Sequence, residues 1–206
     1  MLAPRKTLWS TPSTVVDRAI EWVGPLCVND LVCDIGCGDG RCLIQWATHY
    51  SKTLNKNRST TTTSTDAAAT TAATAAAAAA GTAHTTASFV GIDIDAERIQ
   101  QARQSWKEAV TKGEVNGSIH VEFYCTNALE AYDIFCHATI IFLYLIPRGL
   151  RKIKPVLERI PHPIQVITYM SPLPDEVPLQ KEYVKVPHQP NAEWPVFAYR
   201  LDKNKG

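Results

Sequence analysis

Apolar residues recur along this chain in two rhythms, and the way the rhythms alternate predicts an architecture. Continuous or every-second apolar positions mark strands at Leu31–Asp34, Ser88–Asp93, Ile119–Cys125, Ala138–Tyr144 and Ile164–Met170. Between them the apolar residues fall at helical spacing. Val15, Val16, Ala19, Ile20 and Val23 follow Ser10-Thr11-Pro12, which predicts a hydroxyl cap and a first-turn proline, and Gly24-Pro25 ends that helix. Cys42, Leu43, Trp46 and Ala47 mark a second helix over Arg41–Tyr50. Ile99, Ala102, Trp106, Ala109 and Val110 mark a third over Ala96–Thr111, closed by Lys112-Gly113, and a fourth spans Arg148–Ile160. Strand alternating with helix reads as an open α/β sheet, and the unbroken apolar run Ala138–Tyr144 as its central, doubly buried strand. After Ser171-Pro172-Leu173-Pro174, two closing strands are predicted, Lys181–Val186 and Val196–Leu201, with no helix before them.

One stretch keeps neither rhythm. Ser51–Thr86 is dominated by Thr and Ala, with runs Thr60–Thr63 and Ala75–Ala80 and no large apolar residue after Leu54. Such a composition predicts a solvated, largely disordered insertion within an otherwise single 1–206 domain. Spacing agrees with an insertion. From Gly36 to Asp93 is 57 positions, and removing the 36 residues of Ser51–Thr86 leaves 21. That is close to the roughly twenty residues that separate a nucleotide-binding glycine loop from its ribose-reading acid.

The loop in question is Asp34-Ile35-Gly36-Cys37-Gly38-Asp39-Gly40-Arg41. Glycines at alternate positions let backbone turn tightly and approach a ligand without side chains in the way. Neither the dinucleotide spacing nor a phosphate loop ending in Lys-Ser/Thr is present. Acids flank the glycines, so a cationic ligand is favoured over a phosphate-bearing one. Asp93, with Gly91 before it, Ile94 after it and Asp95 beyond, ends the second strand where a carboxylate can accept two ribose hydroxyls. Asn127 and Ala128 follow the third strand in a turn. Trp9 and Thr11 are expected near the mouth of the loop. Lys152, Lys154 and Arg159 read as a solvated helix face.

Composition narrows the partners. Twenty-one basic against twenty acidic residues give a net charge of +1, so no chain-wide field recruits nucleic acid, although a local basic patch stays open. Cys27, Cys33, Cys37, Cys42, Cys125 and Cys136 show no metal-ligand spacing, so they read as small core residues of a reducing compartment and no metal is expected. No apolar run is long enough for a membrane span. An intracellular, cytoplasmic protein is the expectation; Met1–Ser10, basic and followed by no acid before Asp17, also fits a short mitochondrial presequence.

The glycine loop resembles the cofactor loop of class I S-adenosylmethionine (SAM) methyltransferases, Asp-x-Gly-x-Gly-x-Gly, and Val90-Gly91-Ile92-Asp93-Ile94-Asp95 matches that family's second-strand pattern. Within the class, Trp9-Ser10-Thr11-Pro12, Phe142-Leu143-Tyr144-Leu145-Ile146-Pro147, Ser171-Pro172-Leu173-Pro174 and Phe197-Ala198-Tyr199-Arg200 are similar to the small protein-lysine methyltransferases of the adenine nucleotide translocase and ATP synthase c-subunit type. The resemblance implies a Rossmann-like, seven-stranded, doubly wound sheet with the last strand antiparallel and helices on both faces. It implies SAM as cofactor, held by Asp34, Gly36, Cys37, Gly38, Asp39, Gly40, Asp93, Ile94, Asn127 and Ala128, and a protein lysine as methyl acceptor, with Tyr144 beside the transferred methyl. Two departures stand out. Asn127 replaces the acid usual at that place, and the Asn/Asp-Pro-Pro-Tyr motif of adenine and glutamine methylases is missing, which speaks against that kind of base methylation. An RNA or small-molecule methyltransferase, and a non-catalytic component of a larger assembly, are the competing readings.

Overall fold

The computed structural model describes residues 10–60, 86–186 and 189–202. In chain order these form α1 (Ser13–Val23), β1 (Leu31–Ile35), α2 (Arg41–Thr60), β2 (Ser88–Asp93), α3 (Ala96–Thr111), β3 (His120–Cys125), α4 (Tyr132–Phe135), β4 (Ile140–Leu143), α5 (Pro147–Leu157), β5 (Ile164–Tyr169), β6 (Gln180–Val186) and β7 (Gln189–Leu201). The strands make one seven-stranded sheet in the order β3-β2-β1-β4-β5-β7-β6. β1 to β5 pair in parallel, and β7 alone runs against its neighbours β5 and β6. The Rossmann-like sheet expected from the sequence is therefore present, including its antiparallel final strand.

The period-2 alternation of the strands divides the core in two. Val32, Phe89, Ile140, Phe142, Ile167 and Tyr169 face α1, α2 and α3. Cys33, Ile35, Val90, Ile92, Ile141 and Leu143 face the other way, onto Phe135 of α4 and Leu150, Ile153 and Leu157 of α5. Each fully buried large side chain, such as Trp46, Phe89 or Phe142, contributes about 2 kcal/mol of transfer free energy. β4 is buried at all four positions, as its unbroken apolar run predicts.

Several boundaries differ from expectation. α1 has Pro12 at its N-cap and no side-chain cap bond, so neither Ser10 nor Thr11 caps it; the Pro12 carbonyl accepts from Val15 N–H instead. α2 does not stop at Tyr50 but runs to Thr60, because Ser51 is buried and Leu54 packs against the first core cluster. The Ser51 hydroxyl also accepts the Asn116 N–H at 2.9 Å. The rest of the expected insertion, residues 61–85, and Trp9 lie outside the described residues. β7 begins at Gln189, well before Val196, and takes in Pro190 and Pro195. Of the six cysteines only Cys33, Cys37 and Cys42 are buried; Cys27 and Cys125 are exposed, so those two are not core residues.

β1 and β4 are neighbours, while the chain visits β2 and β3 between them. The sheet thus reverses its winding at β1, and the crevice beyond the carboxyl ends of β1 and β4 is where such sheets take ligands. β7 pairs β5 only from Val196 to Leu201, so Gln189–Pro195, paired with β6, overhangs that same edge. α1 secures the overhang: the Thr14 hydroxyl donates to the Lys185 carbonyl at 3.0 Å and Arg18 pairs with Glu182 at 2.8 Å.

Candidate functional site

At the carboxyl end of β1 the chain turns through Gly36 (φ 88°) and Gly38 (φ 56°), a conformation that side chains resist. A Cβ at Gly36 would also stand 3.0 Å from Leu145 Cδ2, the residue after Tyr144. The turn is tied to β2. Gly36 and Cys37 N–H donate to the Ile92 carbonyl at 2.7 and 3.1 Å, and Gly38 N–H donates to Asp93 Oδ2 at 2.9 Å. Asp93 Oδ1 accepts the Asp95 N–H at 2.9 Å. Asp95 in turn caps α3 through Glu97 and Arg98 N–H. Each Asp93 oxygen accepts one of these N–H groups, of the two bonds such an oxygen can accept, and the residue is 8% exposed.

Electrostatics at the loop are acidic. Asp39 and Arg41 neutralise one another in a fork, with Arg41 Nε to Asp39 Oδ1 at 2.9 Å, and the guanidinium holds the Asp39 carboxyl below its usual range. Asp34 is 3% exposed. Burial first, then the nearby Asp93 carboxylate, pushes its carboxyl up to about 8, against the pull of a hydrogen bond from the Cys42 thiol. Burial likewise pushes the Cys37 and Cys42 thiols upward, so both stay protonated at neutral pH. With Arg41 occupied by Asp39, nothing in the turn offers a cation to a phosphate.

Ile94 follows Asp93 and is 63% exposed, a large apolar side chain presented at the rim. Asn127, after β3, is engaged locally: its Oδ1 accepts Leu129 N–H at 3.2 Å and its Nδ2 donates to Glu130 Oε1 at 2.7 Å. Ala128 is half-buried against the second core cluster. Tyr144, just past β4, is half-buried; its ring meets the Tyr169 ring at 4.7 Å and its hydroxyl donates to Met170 Sδ at 3.1 Å. Burial raises both phenols, that of Tyr169 to about 12. Met170, at φ 66°, takes a strained conformation for a non-glycine residue, held there by its N–H donating to the Pro195 carbonyl at 2.8 Å.

The loop, Asp93, Ile94, Asn127 and Tyr144 therefore share the carboxyl edge. Sequence reasoning missed Glu130, Tyr169 and Met170; a strand ending in Tyr-Met before Ser171-Pro172 was the available signal for the last two. Thr11 shares a groove of about 860 Å³ with Asp39, Arg41, Gln45 and Lys112, which runs away from Tyr144 along α2 and α3. Among the described residues no cluster of His, Cys, Asp and Glu forms a metal site, and no helix is long and apolar enough to cross a membrane.

No family model and no curated protein matches this chain. Solved structures do. An RNA methyltransferase from Salinibacter ruber, in complex with S-adenosyl-L-homocysteine, superposes with a TM-score of 0.63 at 23% identity over 96% of each chain. The magnesium protoporphyrin IX methyltransferase of Synechocystis PCC 6803 gives 0.53 with S-adenosyl-L-homocysteine bound, at 10% identity over 91% of this chain and 81% of that one. Its SAM complex gives 0.52 at 11% identity, over 91% and 77%. This chain shares the methyltransferase fold with them.

Proposed function

We propose that this protein is a SAM-dependent methyltransferase acting on an amino group, that of a protein lysine. The observation that carries the reading is the Gly38–Asp93 bond. It fixes a carboxylate and a glycine turn against each other at the winding reversal of the sheet, and among the described residues the turn holds no free cation. Such a place fits a ligand bearing a ribose and positive charge, and SAM has both; a pyrophosphate would be repelled. The fold neighbours that carry SAM or its product support the same cofactor.

Asp93 is the ribose acceptor, through the two directions its N–H partners leave free. Ile94 offers an apolar face to the adenine, Asn127 and Ala128 its edge, and the turn from Gly36 to Gly40 the backbone N–H groups and close approach for the amino-acid end. Cys37 and Asp39 hold the turn's shape, and the buried Asp34 supports it from below. When bound, SAM supplies a methyl group activated on a sulfonium. The protein's remaining task is to deliver a neutral amine. Burial of an ammonium beside Tyr144 and Tyr169 disfavours its charged form, so the acceptor proton is lost before the amine is in place and no strong base is needed. Neither phenol is a base at neutral pH, since burial raises both. Tyr144 instead presents an aromatic face to an amine nitrogen and any residual positive charge.

RNA as the acceptor is the second reading, favoured by the likeness to the Salinibacter ruber enzyme. Calorimetric titration with SAM tests the cofactor: binding heat is expected, and its absence at millimolar concentration would leave a non-catalytic fold component. Incubation with labelled SAM and cell lysate, followed by separate protease and nuclease digestion, tests the acceptor. Label released by protease is expected; release by nuclease transfers the assignment to RNA.

A further inference from the structure

Several cations among the described residues are engaged. Arg18 pairs with Glu21 and Glu182, Arg41 with Asp39, and Lys154 with Glu158 and Glu176, while Arg159 lies over the Tyr132 ring at 4.3 Å. Arg148, Arg151 and Lys152 are a cluster on one helix that is not so engaged. All three are exposed on the solvent face of α5, and among the described residues none has an ion-pair partner. Their placement is unfavourable twice over. They occupy the opening turns of a helix that has no acid in its first turn and no side-chain cap, so the positive end of the macrodipole faces positive charge. Arg148 also stands at i,i+3 from Arg151 and i,i+4 from Lys152, where like charges repel.

α5 begins at Pro147, three residues after Tyr144 at the carboxyl edge. Ile146, its N-cap, is 51% exposed, and Val177 is 87% exposed on the loop before β6. Lys154 holds that loop to α5 through Glu176 at 3.1 Å, so Val177 flanks the same helix. We infer that this surface docks an acidic segment of the acceptor polypeptide, bringing its lysine to the edge where Tyr144 lies. The inference rests on the protein-lysine reading above. Arginine beside exposed aliphatic side chains matches the make-up of protein interfaces. The apolar members here are aliphatic, not the aromatic platforms on which bases stack, and a net charge of +1 gives RNA no wider field to follow.

The test uses the full chain carrying Arg148→Glu, Arg151→Glu and Lys152→Glu. Its probes are a fluorescent peptide with one lysine among glutamates and leucines, and a fluorescent single-stranded RNA oligomer of equal net charge. Fluorescence anisotropy should show peptide binding to the wild type that weakens with salt and falls about tenfold or more in the variant. SAM calorimetry should be the same for both proteins. Arg148→Glu puts an acid in the first turn of α5, where it complements the dipole, so the variant should melt no lower than the wild type and up to about 3 °C higher. If the triple variant folds poorly, Arg148→Gln with Lys152→Gln should still weaken peptide binding. Absent peptide binding, equal binding by wild type and variant, or tighter RNA binding that the reversal abolishes would each overturn the inference. Failure of SAM to bind the wild type would instead overturn the methyltransferase reading, so the two can fail separately.

Discussion

Asp34 is a carboxyl group faced by the Cys33, Cys37 and Cys42 thiols and by the Asp93 and Asp39 carboxylates, with no cation among them. Unfolded, it ionises near pH 4; folded, it holds its proton up to about 8. Between those values the native protein binds a proton that the unfolded chain has lost, so this group makes stability decline as pH rises through that window. Asp34→Asn removes the titration. The melting temperature of the wild type relative to the Asn variant should fall as pH goes from about 5 to about 8, and a pH-independent difference would refute the assignment. Asp93 has a different task. Asp93→Ala should weaken SAM binding by calorimetry about tenfold to a hundredfold, since it removes two charge-assisted acceptors, whereas Asp93→Asn should retain part of the affinity. For Tyr144 the aromatic face and the hydroxyl can be separated. Its hydroxyl reaches only the Met170 thioether, a weak acceptor, so Tyr144→Phe should keep turnover within about threefold, while Tyr144→Ala should lose about tenfold or more.

At the level of elements, β2 depends on a missing side chain. A Cβ at Gly91 would lie 2.6 Å from Phe123 Cδ1 on β3 and 2.9 Å from Cys37 Sγ in the glycine turn. Gly91→Ala should therefore destabilise the protein by about 2 kcal/mol in denaturant melts, and adding Phe123→Leu should recover part of that loss. The parallel strands were legible in the sequence because Val32–Ile35, Phe89–Ile92 and Ile140–Leu143 have to be buried on both faces. The second half of α2 was not, because its contacts come from Ser51 and Leu54 in a background of Thr, Lys and Asn that carries no apolar stripe. β7 hid behind its prolines. Proline argues against a central strand, yet Pro190 and Pro195 lie before Val196, where the register with β5 begins, so a missing N–H there breaks no rung of that ladder. Asp93 could be found from spacing alone; the Tyr144–Tyr169–Met170 contact could not, because it needs β4 and β5 paired side by side.

Across the whole molecule the two sheet faces are unequally covered. One carries helices of 11, 20 and 16 residues, the other helices of 4 and 11 residues together with the loop through Leu173, whose N–H donates to the Tyr199 hydroxyl at 2.9 Å. A ligand seated at the carboxyl edge would bridge β1, β2 and β4, and so stabilise the sheet as a unit. At a SAM concentration about a hundred times its dissociation constant, the melting temperature should rise by about 5–10 °C, and a shift within error would count against binding at this edge.

The antiparallel course of β7 has a practical consequence for measurement. Leu201 pairs with Ile164, the first residue of β5, so the last described strand finishes at the opposite end of the sheet from Asp93 and Tyr144. A sensor surface or fluorophore attached just after it would leave the carboxyl edge of the sheet facing solution. Attachment just ahead of α1 would instead place the tether beside the hairpin that Thr14 holds.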